Sequence, residues 1–188
     1  MSYLAGTILV FCDEPEAFIC FTNFVHSSFF IKLFTGYIPD IKLRISIFKS
    51  YFREILPDLY RHFKDLDINT EYFLIDWMLT IFVKNVDFKI ACRIWDNLIL
   101  DGEIFIFRTG LAILSYFQTK FLKQCHYQIK DQLTNMRGCL DEHRLFAIIE
   151  DQMLIDEDEF MKEIKKQSWS TQKANILQLV AEIEMNPF

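Results

Sequence analysis

Apolar positions recur at helical spacing along almost the whole chain. The longest pattern is Ile41, Ile45, Phe48, Phe52, Ile55, Leu59 and Phe63, one stripe at steps of three and four. Pro57 sits inside it and predicts a kink or a break. The other side carries Lys42, Lys49, Arg53 and Lys64, which reads either as a solvated basic face or as a partner-binding face. A second helix is predicted from Thr70 to about Lys84. Leu74, Trp77, Met78, Ile81 and Phe82 line one side, and Tyr72, Phe73, Ile75 and Leu79 make the rest apolar too. A helix apolar nearly all round belongs in the middle of a domain.

Punctuation places the other elements. The opening run Tyr3 to Cys12 reads as a buried helix. Asp13 is the expected N-cap of the next, with Pro15 and Glu16 in its first turn and its end near His26. Gly36 and Pro39 break the chain, and Asp40 is expected to cap the helix that follows. Asp87 caps another, which ends at Asp101-Gly102 with Gly102 as a left-handed C-terminal cap. Glu103 to Phe121 then presents Phe107, Gly110, Leu111, Leu114, Phe117 and Phe121 on one stripe. The remainder is more polar, with helices expected over Asp141–Met153, Asp158–Gln167 and Thr171–Met185. No repeat or linker divides the chain. The fold class is all-α, a stacked multi-helix array forming one domain over 1–188.

Composition narrows the function. A net charge of −6 and a pI near 5.2 argue against a binder of nucleic-acid phosphates. The opening stretch lacks a basic region and a cleavage site, and no apolar run approaches the roughly 20 residues of a membrane span. No transmembrane segment is expected, and the chain reads as cytoplasmic. Of the five cysteines, Cys12, Cys20 and Cys92 fall in apolar helical patterns and read as reduced core residues. Cys125, His126, Cys139 and His143 could be imagined around zinc, but no CxxC pair is present and ordinary helix residues are the better reading. Asp156, Asp158 and Glu159 lack the turn glycine of a calcium loop. No phosphate-cradling glycine loop, GxSxG elbow or HExxH is present, so neither cofactor nor metal is expected.

The richest stretch is CRIWDNLILDGEIFIFRTGLAIL, residues 92–114. Ile94, Trp95 and Leu98 should pack inward. Arg93 and Asp96 stand three apart and can pair, and Arg108 could reach Asp96 from the next helix. Such a buried charge group would fix how two helices join, a structural rather than a catalytic task.

RIWDNLILDGEIFIFRTGLAIL resembles the RIWDxxxxxGxxxLFRxxLAIL signature of the TBC domain, an all-helical GTPase-activating module for Rab GTPases. YFLIDWMLTIF, residues 72–82, looks like the family's tryptophan helix, centred on Trp77. MSYLAGTILVFCDEPEAFICF looks like the helix pair that follows the family's glutamine motif. HFKDLDINTEYFLIDW, with ACRIWD and DGEIFIFRT, is closest to a subgroup linked with recycling endosomes and autophagy. The resemblance covers residues 1 to about 122, leaving 123–188 as C-terminal helices. It implies the C-terminal part of a TBC domain, a Rab-type GTPase as partner, and structural motif positions at Trp77, Arg93, Trp95, Asp96, Gly102, Phe107 and Arg108.

The family's catalysis is implied to use an arginine from IxxDxxR and a glutamine from YxQ, usually YxQGM. The arginine neutralises charge on the transferred phosphoryl group, and the glutamine orients water. Met1 aligns with the methionine of YxQGM, which would place both fingers upstream and leave no catalytic residue here. ILPDLYR would literally nominate Arg61, and YFQ would nominate Gln118. Neither stands in its family context, and both read as chance. The expectation is a C-terminal portion of a Rab-activating domain, inactive alone and working in vesicle trafficking on endosomal or autophagic membranes. The alternative is a non-catalytic helical adaptor. Under-packing is expected around Tyr3, Leu4, Ile8 and Phe11.

Overall fold

The computed structural model describes residues 1–151, 155, 158 and 160–166. All regular structure among them is helical: α1 (Ser2–Leu9), α2 (Glu14–Val25), α3 (Ser28–Phe34), α4 (Ile38–Ile55), α5 (Pro57–Asp65), α6 (Thr70–Thr80), α7 (Phe88–Asp101), α8 (Ile104–Phe121), α9 (His126–Thr134) and α10 (Glu142–Asp151). Residues 160–166 form further helical turns, covering part of the helix expected over Asp158–Gln167. The helix expected over Thr171–Met185 lies outside the described residues.

Helix α8 is the axis of the array. Every residue from Ile104 to Leu114 is buried, and α6, α7 and α10 pack on it. Gly110 lets α4 come close, since a Cβ there would stand 2.9 Å from Cε2 of the buried Phe48 ring. Phe48, Phe52, Phe63, Phe73, Trp77 and Phe107 form a continuous aromatic core with neighbouring ring centroids 4.7–6.5 Å apart. Each such ring contributes about 1.5–3 kcal/mol by burial alone.

The stripe across residues 41–63 is interrupted as Pro57 dictates. Leu56 turns to φ −128 and ψ 59, and Pro57 opens α5. A short helix not anticipated from the pattern, α3, buries Phe29, Phe30 and Leu33. It ends where Gly36 takes φ +69, with Tyr37 N–H reaching the Lys32 carbonyl at 3.0 Å and Gly36 N–H that of Leu33 at 3.3 Å. Those paired bonds are a Schellman close.

Two expected boundaries move. Helix α4 begins at Ile38, so Asp40 lies in its first turn and is not its cap. Pro39 supplies the fixed φ for that turn, and the Asp40 carboxylate is held by Arg44. Helix α6 stops at Thr80, short of Lys84, because Ile81 and Phe82 turn to φ +46 and +61. Both side chains are fully buried there. A β-branched residue at positive φ costs about 1–3 kcal/mol, which the packing of both side chains must offset.

Helix α1 is packed on one side only. Leu4 is fully buried and Ile8 half-buried against the core, whereas Tyr3 and Phe11 are exposed. The expectation for Leu4 is thereby corrected. The cysteines are all free, but Cys20 is exposed on α2, and Cys12 and Cys92 are half-buried. Helix periodicity put them among apolar residues, but Cys20 lies on the exposed side of α2.

Candidate functional site

The two signature tryptophans both engage the turn that joins α6 to α7, Trp77 through the Phe82 ring and Trp95 through the Ile81 carbonyl. Trp77 is fully buried and donates its indole N–H to the Leu133 carbonyl of α9 at 3.1 Å. Trp95 on α7 donates to the Ile81 carbonyl at 3.3 Å, in the turn whose residues take positive φ. Its other face stacks on Phe24 of α2, centroids 5.4 Å apart and planes within 5°. One tryptophan thus anchors α9 to α6, and the other clamps α2 and the 81–87 turn to α7.

Asn85 completes that turn. Its side chain is fully buried and accepts from Thr80 Oγ1 at 3.3 Å. Its amide donates to Asp76 at 3.0 Å and to the Thr134 carbonyl at 2.9 Å, while its own carbonyl accepts from Met136 N–H at 2.7 Å. Lys84 Nζ lies 2.8 Å from Asp76, and this hydrogen bond raises the lysine pKa. A buried asparagine with its groups satisfied specifies a single geometry.

The charge group expected at Asp96 does not form. Asp96 lies on the side of α7 opposite Ile94 and Leu98 and is exposed. Arg93 instead pairs with Glu142 of α10 at 3.3 Å, and its guanidinium lies 3.9 Å from the Phe146 ring centroid. Glu142 with a ring face beside it is a better partner than a carboxylate free in water. Lys89 shares Glu142 at 2.9 Å, and the hydrogen bonds from Lys89 and then Arg93 hold that carboxyl below its ordinary pKa, against partial desolvation. Arg108 reaches Asp101 at 3.6 Å and donates to the Ile155 carbonyl at 2.9 Å. Burial, with the Asp96 charge second, pushes the Cys92 thiol up.

The buried charge group sits elsewhere, between α4 and the α7–α8 elbow. Arg44, 4% exposed, donates to Asp40 one turn back and to Glu103 through Nε and Nη2 at 2.7 and 3.1 Å. Lys32 Nζ reaches the other Asp40 oxygen at 3.3 Å, and Phe29 lies under the guanidinium at 4.9 Å. The elbow itself depends on Gly102, at φ 75 and ψ −162. That is a glycine-only region and not the left-handed helical cap expected. The signal for Arg44 was present as an Asp-x-x-x-Arg step, but Glu103 is 59 residues away and no local pattern links them.

Phe107 is fully buried between Phe48 and Phe160. Arg61 is exposed on α5 beside Asp58, at 71% and 69% side-chain exposure, and Gln118 is half-buried in α8. Nothing brings the two together. Among the described residues, no three His, Cys, Asp or Glu side chains could hold one metal ion, and no helix is long and apolar enough to cross a membrane.

The described residues thus form an all-helical array organised on a Trp77 helix and a Trp95–Gly102–Arg108 elbow. The Rab-GTPase-TBC domain matches residues 1–122, and the chain belongs to that family. It is 32% identical over 149 residues to TBC1 domain family member 12 of Mus musculus, covering 79% of this chain and 21% of that protein. It is 34% identical over 149 residues to TBC1 domain family member 14 of Homo sapiens, covering 79% of this chain and 22% of that protein. Drainin of Dictyostelium discoideum is 30% identical over 167 residues, 88% of this chain and 38% of Drainin. The chain therefore spans a minor part of the length of these relatives.

Proposed function

We propose that residues 1–188 act as the C-terminal portion of a Rab GTPase-activating domain, with a Rab-type GTPase as partner and vesicle trafficking as setting. The single observation that carries this is the family match over residues 1–122. Trp77, Arg93, Trp95, Gly102, Phe107 and Arg108 have structural roles in it, and Asp96 remains a surface position. In this reading residues 1–122 are the TBC-like core, and 123–188 belong to the same single domain. Indole and amide bonds from Trp77 and Asn85 to α9 support including those residues.

None of these residues is an activating finger in this reading. Arg61 points into solvent with an acidic neighbour, and Gln118 is part-covered in a packed helix. The two stand on different helices, α5 and α8, and neither lies in the motif context that the resemblance would require. Action at recycling-endosomal or autophagic membranes, from the cytoplasm, follows from the likeness to one subgroup and belongs to the same proposal.

The test is equilibrium binding of the chain to purified Rabs loaded with GTP analogue or GDP. Preferential capture of at least one GTP-state Rab is expected. Failure to bind any Rab in either state would remove the partner assignment. A second reading, a non-catalytic helical adaptor, draws on the exposed Phe18 and Ile19 of α2 and Ile99 and Leu100 of α7. Isolated apolar side chains on a surface are ordinary, but four large ones on two elements suit protein contacts. Binding unchanged by Phe18→Ser with Leu100→Ser would dismiss the adaptor surface.

A further inference from the structure

A concave groove of about 470 Å³ lies along the outer face of α4, with Tyr60 of α5 and Glu71 of α6 on its walls. Lys42, Ser46, Lys49, Ser50 and Arg53 line it. Their spacing of four, three, one and three residues puts them on one helix face. At about 1.5 Å per residue, Lys42 and Lys49 stand about 10 Å apart along the axis, and Lys49 and Arg53 about 6 Å. Three cations therefore face one carboxylate, on a chain whose net charge is −6.

The cations are unevenly committed. Lys49 Nζ lies 3.3 Å from Glu71. Among the described residues, Lys42 and Arg53 have no ion-pair partner. The Tyr60 ring is fixed edge-on against the buried Phe52, centroids 5.3 Å apart. A second hollow of about 260 Å³ shares Lys49 and Tyr60 and adds Lys64. The basic stripe seen in the sequence is thus folded into a recess.

We propose that this groove binds a multiply phosphorylated polyol of the inositol-phosphate class, free or as a lipid headgroup. Lys49 and Arg53 are one turn apart and can grip one phosphate, with the Arg fork taking two of its oxygens. Lys42 meets a second phosphate farther along. The Ser46 and Ser50 hydroxyls supply donors for ring oxygens, and Tyr60 a flat wall. A recess of this volume suits a small ligand. A flat anionic membrane would be met by a protruding patch, and an acidic peptide by a longer channel. The site does not depend on the Rab reading.

The test is calorimetric titration of the 188-residue chain with inositol hexakisphosphate, then sedimentation with vesicles. One vesicle set carries a bisphosphorylated inositol lipid, the other phosphatidylserine at equal charge. Lys42→Ala with Arg53→Ala should weaken binding at least about tenfold through lost charge-assisted bonds. Glu71→Gln, which removes the competing carboxylate, should tighten it about threefold, a change that unfolding cannot mimic. Binding to inositol phosphate alone assigns a free ligand, and binding to the inositol-lipid vesicles as well assigns a headgroup. Four results overturn the proposal: no binding to either probe, binding indifferent to the double substitution, Glu71→Gln without effect, or equal binding to phosphatidylserine vesicles, which would leave only unspecific surface charge.

Discussion

At the scale of single residues, Gly102 and Arg44 set the α7–α8 elbow by different means. Gly102 is surrounded by open space, so a Cβ there would meet no atom. Its constraint is backbone geometry alone. Gly102→Ala should destabilise the chain by about 1–3 kcal/mol, the cost of a sparsely populated φ/ψ, as a lower urea midpoint with unchanged slope. Arg44 is constrained by charge. Arg44→Met leaves Asp40 and Glu103 without their shared partner and should cost about 3–5 kcal/mol in the same assay. Gly102 was legible in the sequence as a helix stop, but its ψ was not, because a left-handed cap and the observed turn both require glycine. Asp96 was misjudged for a different reason. Spacing put Arg93 within its reach, yet spacing cannot show that α10 offers Glu142 and Phe146 to the same arginine.

At the scale of elements, periodicity located most helices and failed where tertiary contacts override it. Ile81 and Phe82 continue the apolar pattern of α6, but the chain turns there to satisfy Trp95 and bury both side chains. Helix α3 is seven residues long, too short for a stripe to declare itself. The α6–α9 contact has a direct test. Trp77→Phe removes the indole bond to Leu133 and some volume, and a loss of about 2–4 kcal/mol is expected from the orphaned carbonyl and the cavity. The α7–α10 contact has a pH signature. Glu142 has a native pKa below its ordinary 4.5, so the unfolded chain takes up its proton first as pH falls. Its contribution is therefore present in full well above pH 4.5 and is lost as the pH drops through the lower native value. Denaturant melts of wild type and Glu142→Gln should differ at neutral pH and converge in acid. A difference that grows in acid would contradict the assignment.

At the scale of the whole molecule, the all-α class and the family were readable because motifs stand in order along one chain: the Trp77 helix, the Arg93–Asp96 run and the Gly102–Arg108 elbow. Few glycines and prolines left long helices as the only economical structure. The groove on α4 was half legible: the sequence held the cations, but only α5 and α6 folded beside them make a recess. The same holds for the literal finger patterns. ILPDLYR and YFQ match short motifs, and the fold puts Arg61 in solvent and Gln118 partly inside a helix packing. The central proposal, that this chain works with a Rab-type GTPase and supplies no activating finger, is tested most directly by single-turnover GTP hydrolysis. Rabs that bind the chain should hydrolyse GTP at their intrinsic rates in its presence, and Arg61→Ala and Gln118→Ala should change nothing. Acceleration that either substitution abolishes would contradict the account.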